Sequence, residues 1–254
     1  MPGSHLRRVA VAAALALTVV LPGVATASHS WGGYHWARTA NPFNLRLGEN
    51  LDSKWESYLA TTSSDWSKST VLDTTIVAGL TRPKSCKPTT GRVEVCNARY
   101  GNTGWLGVAG ISITGRHITK GYVKVNDFYF DTATYNTPAW RNLVMCQEVG
   151  HTLGLDHQDE DFDNANLGTC MDYTSNPSTN QHPNQHDYAE LEAIYAHLDS
   201  TTTVGTAATA GPAAHGSGAG GFGRLVASSR TGKFQTFVRD FGGGRLEVSF
   251  VIWA

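Results

Sequence analysis

Between residues 146 and 174 the chain reads CQEVGHTLGLDHQDEDFDNANLGTCMDYT, and the residue types and spacings in its first half are those of metal-assisted hydrolysis. Gln147 and His151 are four apart, so on a helix they share one face, with Glu148 beside them. Gly154 is placed to stop that helix in the left-handed conformation and turn the chain, so that His157 returns to the same side. Three side chains converging from a helix and the turn behind it, with a fourth position left for water, is the arrangement of a catalytic zinc. A glutamate beside such a metal takes the proton from that water.

The surrounding pattern supplies elements to hold these residues. Thr137 as N-cap and Pro138 at the first helical position open a helix that runs to about Leu153. A second helix is expected over 184–198, with Tyr188, Leu191, Tyr195 and Leu198 on one face. Before them the chain is mostly strand: 42–48, then a helix carrying Trp55, Tyr58, Leu59 and Trp66, then strands over 71–79, 93–99, 105–114 and 121–130. Residues 201–223 are rich in Thr, Ala and Gly, without an acid or base until Arg224, and read as a linker. Residues 224–254 read as a β-hairpin around 240–244, and a lone hairpin must dock on the main domain, a partner or another copy. The domain reading is therefore 28–200, a linker over 201–223, and a C-terminal hairpin over 224–254, all preceded by an export segment.

That segment is residues 1–27. Arg7 and Arg8 precede an apolar run from Val9 to Leu21, and Ala25-Thr26-Ala27 offers the small-x-small pattern of signal cleavage, so the mature chain is expected to begin near Ser28. The run is shorter than the ~20 residues a bilayer span needs, so no membrane span is expected after cleavage and the protein reads as secreted. With 20 Lys and Arg against 21 Asp and Glu, and no long basic run, nothing supports a nucleic-acid surface. Oligomeric state is not legible. Cys86, Cys96, Cys146 and Cys170 make an even count, which in an exported chain favours two disulfides. Cys86 and Cys96 flank a Pro/Thr/Gly turn and are paired locally, which leaves Cys146 with Cys170.

The quoted stretch resembles the metzincin zinc endopeptidases, whose pattern is HExxHxxGxxH followed by a methionine-containing turn. Glu148, His151, Gly154, His157, Met171 and Tyr173 match it. CMDYT is most similar to the methionine turn of the pappalysin group, while the secreted one-domain layout is similar to that of the matrixins. The resemblance spans roughly residues 31–198 and is strong only in the quoted stretch. It implies an α+β fold, a twisted mixed sheet on two long helices, with the C-terminal hairpin as an appendage. It also implies that Met171 packs beneath the metal without binding it and that Tyr173 helps stabilise an oxyanion.

One position departs from the family: Gln147 stands where the first ligand histidine would be. Its amide oxygen is a poorer donor for zinc than imidazole. Three outcomes are open: zinc held by His151, His157 and the Gln147 oxygen; recruitment of another side chain; or a metal-free relic of the fold. His117, His182 and His186 read as surface or capping residues rather than ligands. Asp156, Asp159, Glu160, Asp161 and Asp163 could bind calcium between Asp159 and Asp163, but their order does not follow the EF-hand loop, and a solvated acidic loop is the better reading.

The leading expectation is thus a secreted zinc metalloendopeptidase that hydrolyses polypeptide substrates through a zinc-bound water activated by Glu148. The rival is a catalytically inactive protein of the same fold that binds a polypeptide or envelope partner. Only about 14 residues separate Ser28 from the first expected strand, too few for a folded inhibitory propeptide. Restraint would then come from weak activity, from the C-terminal segment or from a partner.

Overall fold

The computed structural model describes residues 28–205 and 221–254. Residues 1–27, expected to be an export segment, and residues 206–220 of the expected linker lie outside the described residues. The chain forms β1 (His35–Trp36), β2 (Phe43–Asn50), α1 (Glu56–Trp66), β3 (Leu72–Ala78), β4 (Val93–Ala98), β5 (Trp105–Thr114) and β6 (His117–Asn126). It continues through α2 (Asp127–Phe130), α3 (Pro138–Thr152), a 3-10 turn (Pro177–Thr179), α4 (Gln185–Ile194), β7 (Arg224–Ser228), β8 (Phe234–Asp240) and β9 (Arg245–Trp253).

All the strands join one mixed sheet in the order β3-β2-β4-β6-β5-β9-β8-β7, with β1 pairing on β6. The pairs β2–β3, β2–β4, β4–β6 and β1–β6 are parallel; β5–β6, β5–β9, β8–β9 and β7–β8 are antiparallel. The fold is α+β with a large mixed sheet, as expected, but has few helices: of the two long helices expected, α3 has 15 residues and α4 only 10. α1 and α3 pack together against one face, where strand residues Leu45, Leu47, Val123 and Ile111 meet Leu59, Trp66, Val144 and Val149 in the main core. On the other face, Trp105, Tyr122, Phe222 and Phe237 form a smaller core over the Cys86–Cys96 disulfide. The second disulfide is Cys146–Cys170, so both pairings agree with the sequence reading and fit an oxidising compartment. No helix among the described residues is long and apolar enough to cross a membrane.

Three expectations need correction. The strand expected over 121–130 stops at Asn126, whose side chain accepts the Phe128 N–H and caps the short helix α2; the local cap overrides the aromatic, strand-like composition. The helix expected over 184–198 ends at Ile194. The C-terminal segment is neither a hairpin nor an appendage: it has three strands, and β9 pairs with β5 along Trp105–Thr114, which makes it part of the main sheet.

Candidate active site

α3 presents the chemistry, and its ends are fixed as the sequence implied. The Thr137 side chain accepts the Trp140 N–H at the N-terminus. At the other end Gly154 takes a positive φ of +100°, where a Cβ would stand 2.3 Å from the Tyr34 carbonyl oxygen, so the turn and the approach of the N-terminal segment both need glycine. The turn brings His157 back to His151: their Nε2 atoms lie 3.1 Å apart, and both rings are buried. His151 Nδ1 lies 2.9 Å from the Leu155 carbonyl. A carbonyl only accepts, so Nδ1 carries the proton and Nε2 offers its lone pair toward His157. Burial, and then the neighbouring His157, depress the His151 pKa to about 3, so the imidazole stays neutral and able to donate to a metal.

Gln147 is fully buried, and its Nε2 donates to the Cys170 carbonyl at 2.7 Å. Its Oε1 is buried with no hydrogen-bond partner among the described residues. Beside it Glu148 is 0% exposed, and neither carboxylate oxygen has such a partner. Burial drives the Glu148 pKa well above the usual carboxylate range, opposed only in part by the Ala109 backbone. Gly107 on β5 makes room for this carboxyl, since a Cβ there would sit 2.5 Å from Glu148 Oε1.

The turn that carries Met171 packs against α3. Met171 is fully buried, and a Cβ on Gly150 would stand 2.6 Å from its Sδ, so the helix glycine seats the methionine. The Cys146–Cys170 bond and the Gln147–Cys170 hydrogen bond tie α3 to this turn side by side. Asp172, also fully buried, accepts from the Leu167 N–H and the Asn180 side chain, both at 2.8 Å, and fixes the loop around the turn. Tyr173 closes one side, its ring centroid 4.3 Å from that of His157. Burial, with smaller contributions from Glu160 and Asp156, raises its pKa, so it stays a phenol.

The Nε2 lone pair of His151, the neighbouring His157 Nε2, the orphaned Gln147 amide oxygen and the unpartnered Glu148 carboxyl are groups of the kind that can serve a divalent transition metal. The remaining candidates are engaged elsewhere. His182 Nδ1 lies 2.6 Å from Asp65 Oδ2, His186 stacks on His29, and His117 faces Asp199. In the acidic loop, Asp159 and Asp161 accept backbone N–H groups of Asp161 and Asp163, and Arg230 of the C-terminal segment pairs with Asp163.

The roof of the site was not legible in the sequence. Phe250 of β9 stacks on His151 at 4.2 Å with an interplanar angle of 5°. Phe234 of β8 stacks on Tyr173 at 4.0 Å and meets His157 edge-on at 5.1 Å. Together they seal the imidazoles from solvent. A cavity of about 150 Å³ remains beside them, lined by Leu106, Tyr135, Trp140, Phe162 and Trp253. The only sequence signal for this roof was the apolar alternation of the C-terminal strands, which named no docking face.

Replacing Gln147 by His exchanges a neutral amide oxygen for an imidazole and is expected to tighten zinc binding at least about tenfold. Competition against a chromophoric chelator measures this. Unchanged affinity would show that position 147 does not face the ion.

No protein-family model matches the chain, and no curated protein sequence matches it. Among solved structures it is similar to the crystal structure of myroilysin, with a TM-score of 0.37 and 12% identity over 70% of this chain and 98% of that one. So loose a likeness carries no argument about the site, which rests on the side chains themselves.

Proposed function

We propose that this protein is a secreted zinc-dependent endopeptidase whose site is closed by its own C-terminal strands. The observation that carries the reading is the 3.1 Å approach of the buried His151 and His157 Nε2 atoms, together with a buried Glu148 on the helix that carries His151, which has no partner among the described residues. His151 and His157 would hold the zinc, with the Gln147 oxygen as a weaker third donor. When bound, zinc supplies Lewis acidity toward a peptide carbonyl and lowers the pKa of water toward about 7.

The chain's own groups do the rest. The Leu155 carbonyl fixes the His151 tautomer and ring orientation. The Cys170 carbonyl holds the Gln147 amide, which keeps Oε1 free of its own helix. Glu148, made more basic by burial, takes a proton from the attacking water and returns it to the leaving amine. Tyr173, kept protonated, donates a hydrogen bond to the oxygen that gains charge. Phe234 and Phe250 must move aside before a polypeptide reaches these groups.

The same burial favours a second reading, a metal-free cleft that binds a partner without chemistry. Zinc at the α3 site, taken as the zinc per chain of the purified mature protein less that retained by His151→Ala/His157→Ala, and casein cleavage with and without chelator before and after cutting the linker, separate the two. Near-stoichiometric zinc and chelator-sensitive cleavage are expected. Substoichiometric zinc with no cleavage in the cut chain would leave the binding module.

A further inference from the structure

A second cluster of donors stands apart from the side chains of α3 and the turn behind it. His35 lies on β1, His117 opens β6, and His197 and Asp199 follow α4. Parallel pairing of β1 with β6 puts His35 opposite His117. The donor atoms of His35, His117 and Asp199 all lie within 4.8 Å of one another. His117 Nε2 is 3.1 Å from Asp199 Oδ1, and His35 Nε2 is 3.5 Å from the same oxygen. His197 Nε2 approaches from the solvent side, 3.1 Å from His35 Nε2 and 3.7 Å from Asp199 Oδ1. Tetrahedral zinc with bonds of about 2.0–2.1 Å sets its donors about 3.3 Å apart, and these separations bracket that value.

His35 Nδ1 lies 3.0 Å from the Gly33 carbonyl, so the proton is on Nδ1 and the Nε2 lone pair faces both the carboxylate oxygen and His197. A cation among Asp199 Oδ1 and the Nε2 atoms of His35, His117 and His197 would engage all four at once. The outer contacts are those of a metal site as well. The Gly33 carbonyl sets the tautomer, while Arg38 holds Asp199 Oδ2 through its Nη1 at 2.8 Å and its backbone N–H at 3.2 Å, which turns Oδ1 to the histidines. A cavity of about 620 Å³ opens onto the cluster and gives an ion its path in.

We propose that His35, His117, His197 and Asp199 bind a second divalent transition-metal ion, with zinc the best match to three imidazoles and one carboxylate. Calcium and magnesium, which take oxygen donors, do not suit this set. The ion cross-links the N-terminal segment, the β5–β6 turn and the chain leaving α4, three segments remote in sequence, and its role is structural.

The test is metal content and cobalt(II) absorption of the full mature chain, independent of any peptidase activity. The unaltered protein is expected to hold two ions per chain. His151→Ala/His157→Ala should retain one ion with the visible bands of tetrahedral cobalt, and adding His117→Ala and Asp199→Asn should remove it and lower the thermal midpoint. In the reverse case, His117→Ala/Asp199→Asn alone should keep the ion at His151 and His157. Should His117→Ala/Asp199→Asn fail to fold, cobalt titration of His151→Ala/His157→Ala decides. Absence of metal and of a tetrahedral spectrum in that folded variant overturns the proposal, whatever becomes of the site on α3.

Discussion

Cutting the chain within residues 206–220 is expected to raise casein cleavage by about two to three orders of magnitude at micromolar protein. A short tether presents a segment to its own site at an effective concentration of about millimolar, so severing it at micromolar protein weakens closure by up to about a thousandfold. What must leave is the β5–β9 ladder and the rings of Phe234 and Phe250 over His151, His157 and Tyr173. A synthetic peptide of residues 221–254 should restore the block. If the strands stay bound after cutting, Phe234→Ala/Phe250→Ala in the uncut chain weakens the roof independently, since losing a buried Phe ring costs about 3–5 kcal/mol. A cut chain shown by gel filtration to have shed the segment, still folded and no faster on casein, would end the idea of self-closure.

Glu148→Gln should lower casein cleavage by about 10²- to 10⁴-fold, the usual contribution of a positioned general base, while zinc per chain stays unchanged. Gln keeps the shape of the side chain but cannot take a proton. The variant should be at least as resistant to heat in its metal-free form, because it removes a carboxyl that is fully buried without a partner among the described residues. Loss of zinc in this variant would mean that Glu148 helps hold the ion rather than acting on water. Retained cleavage would leave the base elsewhere.

How much of this the sequence disclosed follows from the range of the forces involved. The α3 limits are set by a cap, a proline and a glycine within a few residues, and both disulfide partnerships could be reasoned from a turn and an even count. The helical spacing of Gln147, His151 and the return to His157 is likewise local. The roof is a different kind of fact. Phe234 and Phe250 reach His157 and His151 only because β9 chooses β5 as its neighbour, a pairing across more than a hundred residues that strand periodicity cannot specify. The company of His117, whose side chain stays 37% exposed, is set at long range in the same way, since it comes from β1 and from the chain beyond α4. Gly107 and Gly150 interrupt regular elements and could have been read as places where something approaches closely, but not what approaches.

With β9 in place, β5 is an interior strand whose backbone bonds are taken on both sides. Freed of β9, it would become a long, apolar margin, with Leu106, Val108, Ile111 and Ile113 along a row of unmet amides and carbonyls, the kind of border that invites pairing with a neighbouring molecule. Under the proposed self-closure the final thirty-odd residues would serve colloidal stability as well as latency, and an opened molecule would have to trade one for the other.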